Sequence, residues 1–268
     1  MFTLTRATVA GWLMLAAFAG TSAASTAGAA KPPPCKPAPN RTCNSVDWSG
    51  RNLTGANLSR TSFTASRFVR TNFTRANLTG TSFMQSDVTG ANFARANLDS
   101  TSIYGKAVGA KFVGATIKGG GYGNLSGADF RNAKLYFPGF DDTNLTGANF
   151  VGAVIGGISL QRTNFTRANL SGVKFPPYTE LDNHVNFTRA NLTNVELLSA
   201  NLAEANFSHA NLTNADLSHS NLAAADFTGA NLTGTNFTGT GYLPEQSTMG
   251  AVWSHTTCPD GHVTDTGC

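Results

Sequence analysis

A chain of 268 residues with 41% hydrophobic and 13% charged residues is long enough for one elongated domain with additional terminal segments. Its 28 glycines and low charge are typical of disordered, low-complexity chains, but a strict apolar period along most of the sequence excludes that class. The formal net charge of +4 opposes functions that need an overall anionic surface, such as imitation of nucleic acid.

The N-terminal segment 1–24 has the features of a secretory signal peptide. Arg6 precedes a largely apolar run at 7–20, and small residues at 22–24 form a cleavage site, with 27–29 as an alternative. The run is too short for a comfortable transmembrane helix, so we expect no stable membrane span, and an uncleaved anchor is the less favoured interpretation. Cleavage predicts a secreted or periplasmic protein.

Residues 25–47 are predicted to form an extended, proline-rich linker. All four cysteines lie outside the repeats that follow, two near each end: Cys35, Cys43, Cys258 and Cys268. An even number of cysteines in an exported chain favours disulfides, and pairing between sequence neighbours is the simplest of three connectivities. Metal binding is the alternative, but no CxxC spacing supports a zinc site, and we expect no metal or other cofactor.

Residues 48–243 carry a large apolar residue at nearly every fifth position. The first run is Leu53, Leu58, Phe63, Phe68, Phe73, Leu78, Phe83, Val88, Phe93, Leu98, Ile103 and Val108. The series resumes at 125–175 and again at 187–242, often with a small residue two positions earlier. A period of five fits neither an α-helix nor a flat strand.

Four units of five residues can instead close one square turn. The large residue and the small residue then point inward, and the polar positions face outward. Residues twenty apart should stack, and three such residues, Phe187, Phe207 and Phe227, are all phenylalanine.

The unit resembles that of the pentapeptide repeat family. Its order of Ala, Asn, Leu, Thr and a variable fifth residue is followed at 76–80, 190–194 and 230–234. The resemblance covers about Trp48 to Tyr242 and implies an all-β fold, a right-handed quadrilateral β-helix. It implies little about activity, because the family includes many scaffolds of unknown role.

The period breaks twice. The step from Ile103 to Leu125 exceeds four units by two positions, and the step from Phe175 to Phe187 exceeds two units by two positions. We expect the additional residues to bulge outward as corner loops, with four candidate binding residues: Tyr122, Tyr178, Asp182 and His184. Sequence drift is the alternative, because short insertions into loops cost little.

Residues 244–268 are predicted to form a C-terminal cap closed by its cysteine pair. Charge is also uneven along the chain. Residues 25–95 carry nine basic and two acidic residues (+7), residues 96–175 eight and four (+4), and residues 176–268 one and nine (−8). This polarity allows head-to-tail self-association, or contact of the basic half with an anionic envelope polymer or lipid surface. The alternative is that these charges only keep the surface soluble.

The sequence predicts no enzyme, because no catalytic triad or dyad can be brought together and the sides of such a coil lack a deep pocket. Nucleic-acid binding is not expected either, because the N-terminal arginines are spread over several faces without an aromatic platform. We interpret the chain as an exported, non-catalytic scaffold or protein-interaction rod for an unknown protein or envelope component.

The family resemblance also implies an alternative function. Some quinolone-resistance members resemble a DNA duplex and bind DNA gyrase, so this chain could bind a topoisomerase or another nucleic-acid enzyme. The export signal, the positive net charge and the lack of the C-terminal dimerisation helix of those relatives oppose this alternative.

Overall fold

The computed structural model describes residues 35–157, 159–177, 184–241, 243 and 245–268. All of them belong to one unit, Cys35–Cys268. The predicted signal peptide and its cleavage site lie in the other unit, Met1–Pro34, outside the described residues. In the described part of the chain, no helix is long and apolar enough to cross a membrane.

Cys35–Cys268 is a right-handed quadrilateral β-helix, as the sequence predicts. Four series of parallel bridges begin at Thr42, Asp47, Asn52 and Asn57 and define four faces. Most of their steps are twenty positions long. Successive coils therefore lie about 4.8 Å apart, the ordinary spacing of paired strands.

Longer strands occur mainly in the middle of the coil. One face carries β1 (Asn97–Asp99), β3 (Thr116–Lys118), β5 (Lys134–Tyr136) and β6 (Val154–Gly156), which pair in parallel in that order. β2 (Ile103–Lys106) pairs in parallel with β4 (Tyr122–Asn124), and both strands pass from the face that begins at Thr42 to the face that begins at Asp47. A short 3₁₀ helix, η1 (Glu245–Thr248), precedes the antiparallel strands β7 (Thr256–Thr257) and β8 (Val263–Thr264).

We call the side that carries β1, β3, β5 and β6 the strand face. Lys174 continues it, because Asn149 pairs with Asn169 on the preceding face and Val154 and Lys174 each follow by one pentapeptide. Lys174 pairs with Glu196 and Glu196 with Asp216, so the strand face runs on through these three residues.

The turns at the corners of the coil explain why polar residues and glycine recur at fixed positions of the repeat. At one corner the Ala56 N–H donates to the Leu53 carbonyl (3.1 Å) and Gly55 has a φ of +68°, which is the geometry of a type II turn. At the corner after Phe73, the Asn72 side-chain oxygen accepts hydrogen bonds from the N–H (3.0 Å) and the hydroxyl (2.6 Å) of Thr74. The Asn-X-Thr pattern is therefore a turn signal.

The core is a column of large side chains, as the five-residue period predicts. The rings of Phe187, Phe207 and Phe227 stack with centroids 5.1 and 4.9 Å apart, which confirms stacking at a spacing of twenty. The inward small position is often Ser or Thr rather than Ala, and there the hydroxyl is satisfied within the wall. The Thr71 hydroxyl, for example, donates to the carbonyl of Trp48 in the preceding coil (2.8 Å).

The first break in the period is a shortening, so the prediction of outward-bulging residues there is wrong. Lys106 pairs with Asp87 before it and with Asn124 after it, and both partners are closer in sequence than the usual spacing of twenty. The inward positions are Ile103, Ala107, Phe112, Ile117, Tyr122 and Leu125, so five units, two of them short, replace the expected four.

The shortening has a local cause. No residue from 104 to 106 has a positive φ, so the usual turn residue is missing and Ala107 takes the inward place that the period gives to Val108. A Cβ on Gly105 would overlap the backbone oxygen of Ser86, so this close approach of two coils requires glycine.

The second break is an insertion, as predicted. Asn164 pairs with Asn186 and Asn169 with Asn191, so both spacings exceed the usual twenty by two positions. The inserted stretch includes residues 178–183, which lie outside the described residues.

Pairing extends beyond the predicted range 48–243 at both ends, from Thr42 with Ser62 to Asn236 with Thr257. The C-terminal segment adds a partial coil and then the β7–β8 hairpin, which suits the predicted capping role. The structure pairs the cysteines locally, with Cα atoms 5.7 Å apart in Cys35–Cys43 and 5.4 Å apart in Cys258–Cys268.

Candidate interaction face

The residues predicted to form binding loops do not make one site. Tyr122 is buried in the core, because it occupies an inward position, so its assignment as a binding-loop residue is wrong. Its hydroxyl is enclosed without a hydrogen-bond partner in the described structure, and burial raises the pKa of this phenol well above its usual value. His184 is exposed and lies 2.9 Å from the Glu204 carboxylate. Tyr178 and Asp182 lie outside the described residues, so their role stays a prediction.

The strand face carries an outward-facing aromatic pair, the half-buried Tyr136 and the exposed Phe137. Phe137 is 74% exposed and has a φ of +49°, unusual for a bulky residue. The two rings lie over glycines of the next coil: a Cβ on Gly156 would be 2.7 Å from Tyr136 Cδ1, and one on Gly157 would overlap the ring of Phe137. The two glycines therefore make room for the two rings.

A shallow groove of about 610 Å³ lies beside this pair. It is lined by Asp99, Ser100, Lys118, Gly119, Tyr136 and Phe137. The Lys118 ammonium is 6.0 Å from the centre of the Tyr136 ring, at the outer limit of a cation–π contact. The groove thus offers an apolar wall, one ammonium and one carboxylate.

Charge divides the strand face into two halves. The lysine half contains Lys118, Lys134 and Lys174, with Asp99 at its outer end beside Lys118, and the carboxylate half contains Glu196 and Asp216. Lys174 and Glu196 form a salt bridge where the halves meet. Neither Lys118 nor Lys134 forms a salt bridge with any other described residue.

Elsewhere on the coil, two aspartates are neutralised by arginines. Arg131 donates to both carboxylate oxygens of Asp129, and Arg162 does the same for Asp142 from the next coil. These hydrogen bonds hold the pKa values of both carboxyl groups below their usual range. In the part of the chain that the structure describes, no cluster of three His, Cys, Asp or Glu residues could hold a metal ion.

Sequence reasoning missed the aromatic pair and the two charged halves. The signal was present, because Tyr136 and Phe137 occupy outward positions where other units have Thr, Ser or Gly, and Lys134 occupies a usual Asn position. Breaks in the apolar period do not indicate these residues, because residues 125–155 keep that period unbroken.

Comparison with known proteins adds a family match. A model described as pentapeptide repeats matches the chain in 8 copies, over residues 46–80, 76–105, 124–154, 143–176, 183–206 and 200–239. No curated protein sequence matches the chain significantly.

Several solved structures are similar to the chain. HetL from the cyanobacterium Nostoc sp. strain PCC 7120, a pentapeptide repeat protein involved in regulation of heterocyst differentiation, is 24% identical over 83% of this chain and 91% of its own, with a TM-score of 0.31. QnrB1, a plasmid-mediated fluoroquinolone resistance protein, is 22% identical over 78% and 92%, with a TM-score of 0.37. A pentapeptide repeat protein of the Arabidopsis thaliana thylakoid lumen is 29% identical over 48% and 65%, with a TM-score of 0.18.

Proposed function

The chain belongs to the pentapeptide repeat family, and from that premise we propose that it is an exported, non-catalytic scaffold that binds a partner through its strand face. The observation that carries this proposal is the outward-facing pair of half-buried Tyr136 and exposed Phe137, held over Gly156 and Gly157 beside Lys118. Exposed aromatic residues next to a cation are typical of protein interaction surfaces.

A rigid wall favours this function. Backbone bridges hold Lys134 against Thr116 on one side and Val154 on the other, so the outward side chains are presented at fixed spacing. Little ordering of the backbone is then needed on binding, and association costs less conformational entropy. A scaffold of this kind needs no catalytic group, and the shallow groove offers one carboxylate, one ammonium and the Ser100 hydroxyl, which donates a hydrogen bond to Asp99 (3.2 Å).

Export is part of the proposal and is supported by the N-terminal sequence and the cysteines. A signal peptide at 1–24 would direct the chain out of the cytoplasm, where local disulfides are stable. The cysteines of each pair lie close enough for local disulfides, with Cα atoms 5.7 and 5.4 Å apart, and such bonds would persist in an oxidising compartment, whether periplasmic or extracellular.

The alternative, a DNA-like surface that binds a topoisomerase, has less support. The net charge of −8 over residues 176–268 favours it, but the carboxylates are spread around the coil. Glu196 and Asp216 lie on the strand face, whereas Asp226 belongs to another face, where it pairs with Asn206. A duplex-like surface would need continuous rows of negative charge.

A site-specific photocrosslinker tests the proposal. We would place it at Phe137 and, as a matched control, at Thr213 on a face of regular repeats, and irradiate cells that express each protein. A discrete crosslinked product at position 137 and none at 213 is expected. Identical patterns at the two positions, or no product at 137, would contradict binding through the strand face.

A further inference from the structure

We propose that the partner seated on the strand face is a second copy of this chain, packed face to face with its coil axis antiparallel. This inference rests on the proposed function and names the occupant of the same surface. The juxtaposition that carries it is a row of exposed lysines followed, on one flat face, by a row of carboxylates.

The charges along this face are arranged in sequence. From Lys118 through Lys134 to Lys174, the strand face has three lysines and no carboxylate among its described residues. The next two units of the same face carry Glu196 and Asp216 and have no lysine or arginine. Asp99 in β1 lies outside this stretch, beyond Lys118. Between Lys118 and Asp216 the surface therefore has one sign of charge in each half, and it is complementary to itself when it is turned end for end.

A two-fold axis parallel to the strands produces that arrangement. Rotation about this axis reverses the direction of the coil but keeps each position along a strand, so the row of Lys134, Lys174 and Asp216 faces the same row of the second copy in reverse order. Lys134 and Asp216 each lie two coils from Lys174, or about 10 Å along the coil axis. With the axis near Lys174, Lys134 of each copy meets Asp216 of the other.

The groups at the centre suit burial. Lys174 is already paired with Glu196 in its own chain, so the lysines nearest the axis carry their own counter-charge. Val154, which is 53% exposed, lies one coil before Lys174, and Leu198, half-buried, lies one coil after it. The reversal brings the coil of Val154 opposite that of Leu198. Because each position along a strand is kept, Val154 faces Glu196 of the second copy, whereas Leu198 faces Gly156, over which the Tyr136 ring lies. Leu198 therefore extends the apolar contact that begins at Tyr136.

Asp216 is prepared to receive a cation. Its Oδ1 accepts hydrogen bonds from the Ser218 N–H (3.0 Å) and from the Asn236 side-chain amide (3.1 Å), which fix the carboxylate in place. It forms no salt bridge with any described residue. Two such Lys134–Asp216 contacts, related by the two-fold axis, would fix the register of the dimer.

Charge reversal in two separate chains gives the test. Analytical ultracentrifugation over a concentration series should show a wild-type dimer that dissociates as salt rises from about 0.05 M to about 0.5 M, because exposed charge pairs are screened. Lys134→Asp alone and Asp216→Lys alone should each weaken the dimer by about tenfold or more, because every interface then contains like charges. An equimolar mixture of the two variants should restore a dimer with one chain of each kind.

The controls and the contradicting results are distinct. Lys111→Asp and Asp226→Lys make the same changes on other faces and should leave the dimer unchanged, and Phe137→Ala should weaken it without altering its salt dependence. A wild-type monomer at all concentrations, single variants that dimerise normally, or a mixture that fails to restore pairing would each overturn the proposal. Open-ended oligomers would also overturn it and would favour head-to-tail association instead.

The proposed function can survive such a failure. A monomer that still forms a specific crosslink from Phe137 to a different protein would remove the second copy as partner and keep the strand face as the binding surface. A monomer without any crosslink at Phe137 would remove both.

Discussion

Aspartate substitutions at Ala107 and Val108 test the shortened coil directly. The five-residue period places Val108 inward, whereas in the structure Ala107 is 1% exposed and Val108 is 38% exposed. Ala107 lies in the core column between Val88 and Leu125, because Lys106 bridges the residues that precede them. A carboxylate at 107 would be enclosed by apolar groups, and an unpaired buried charge costs about 3–5 kcal/mol. Val108→Asp reaches solvent and should change the free energy of unfolding by less than about 0.5–1 kcal/mol.

Urea denaturation at neutral pH, followed by circular dichroism, measures both changes. Ala107→Asp should lower the unfolding midpoint strongly and Val108→Asp only slightly. Burial would raise the pKa of the new carboxyl at 107, so its destabilisation should be largest above the raised folded-state pKa. It should decline as the pH falls from that value toward the unfolded-state pKa, and it should change no further below the unfolded-state pKa. A larger loss for Val108→Asp would refute the shortened coil and restore the uniform period.

Three further results are expected. Phe207→Ala should lower the free energy of unfolding by about 3–5 kcal/mol, because the ring is buried between two stacked rings. Asn211→Ala should lower it by about 1 kcal/mol, because the turn hydrogen bonds of Asn211 are lost. Equal losses would contradict the assignment of Phe207 as inward and Asn211 as outward. NMR titration should show that Arg131→Ala raises the pKa of Asp129. The contribution of this carboxylate to stability is present above its unfolded-state pKa and is lost as the pH falls through its lower folded value, so an unchanged pKa would exclude the hydrogen bonds with Arg131 as its cause. Intact mass with thiol labelling of the native protein should show cleavage near position 24 or position 29 and no free thiol, whereas a full-length, reduced protein would contradict both export and the disulfides.

The regular part of the fold could be read from the sequence because one rule repeats. A large residue at every fifth position can be buried on every coil only if four units close a square, so Phe187, Phe207 and Phe227 could be stacked before the structure was known. The type II corners give a physical reason for Gly and Asn in the outward positions, since one residue of each such turn needs a positive φ.

The shortened coils could not be read in the same way. Counting by fives assumes that every unit has a turn, and whether a turn is missing depends on a contact with the preceding coil. Gly105 is adjacent to the backbone of Ser86 in that coil. The spacing of apolar residues in the sequence carries no information about such a contact between coils. The same limitation misplaced Tyr122, whose position inside the break from Ile103 to Leu125 suggested a loop although its ring belongs to the core.

The candidate site was missed for a different reason. Tyr136 and Phe137 leave the apolar period intact, so they differ from other units only at outward positions where the family pattern is permissive. Their importance depends on Gly156 and Gly157 lying beneath them, which follows only from stacking one coil on the next.

The unequal coils also bear on how such a chain can grow during evolution. In the stretches where partners are twenty positions apart, as from Asn186 to Asn206 and Asp226, an in-frame duplication one coil long lengthens the protein and leaves every downstream residue on its original side. Recombination across residues 103–125 would not preserve the faces in this way. If a full-length coil replaced a shortened coil there, every downstream residue would move relative to the four faces. We therefore expect the length of the middle segment to stay constant during evolution, while the flanking segments gain, lose and exchange whole coils.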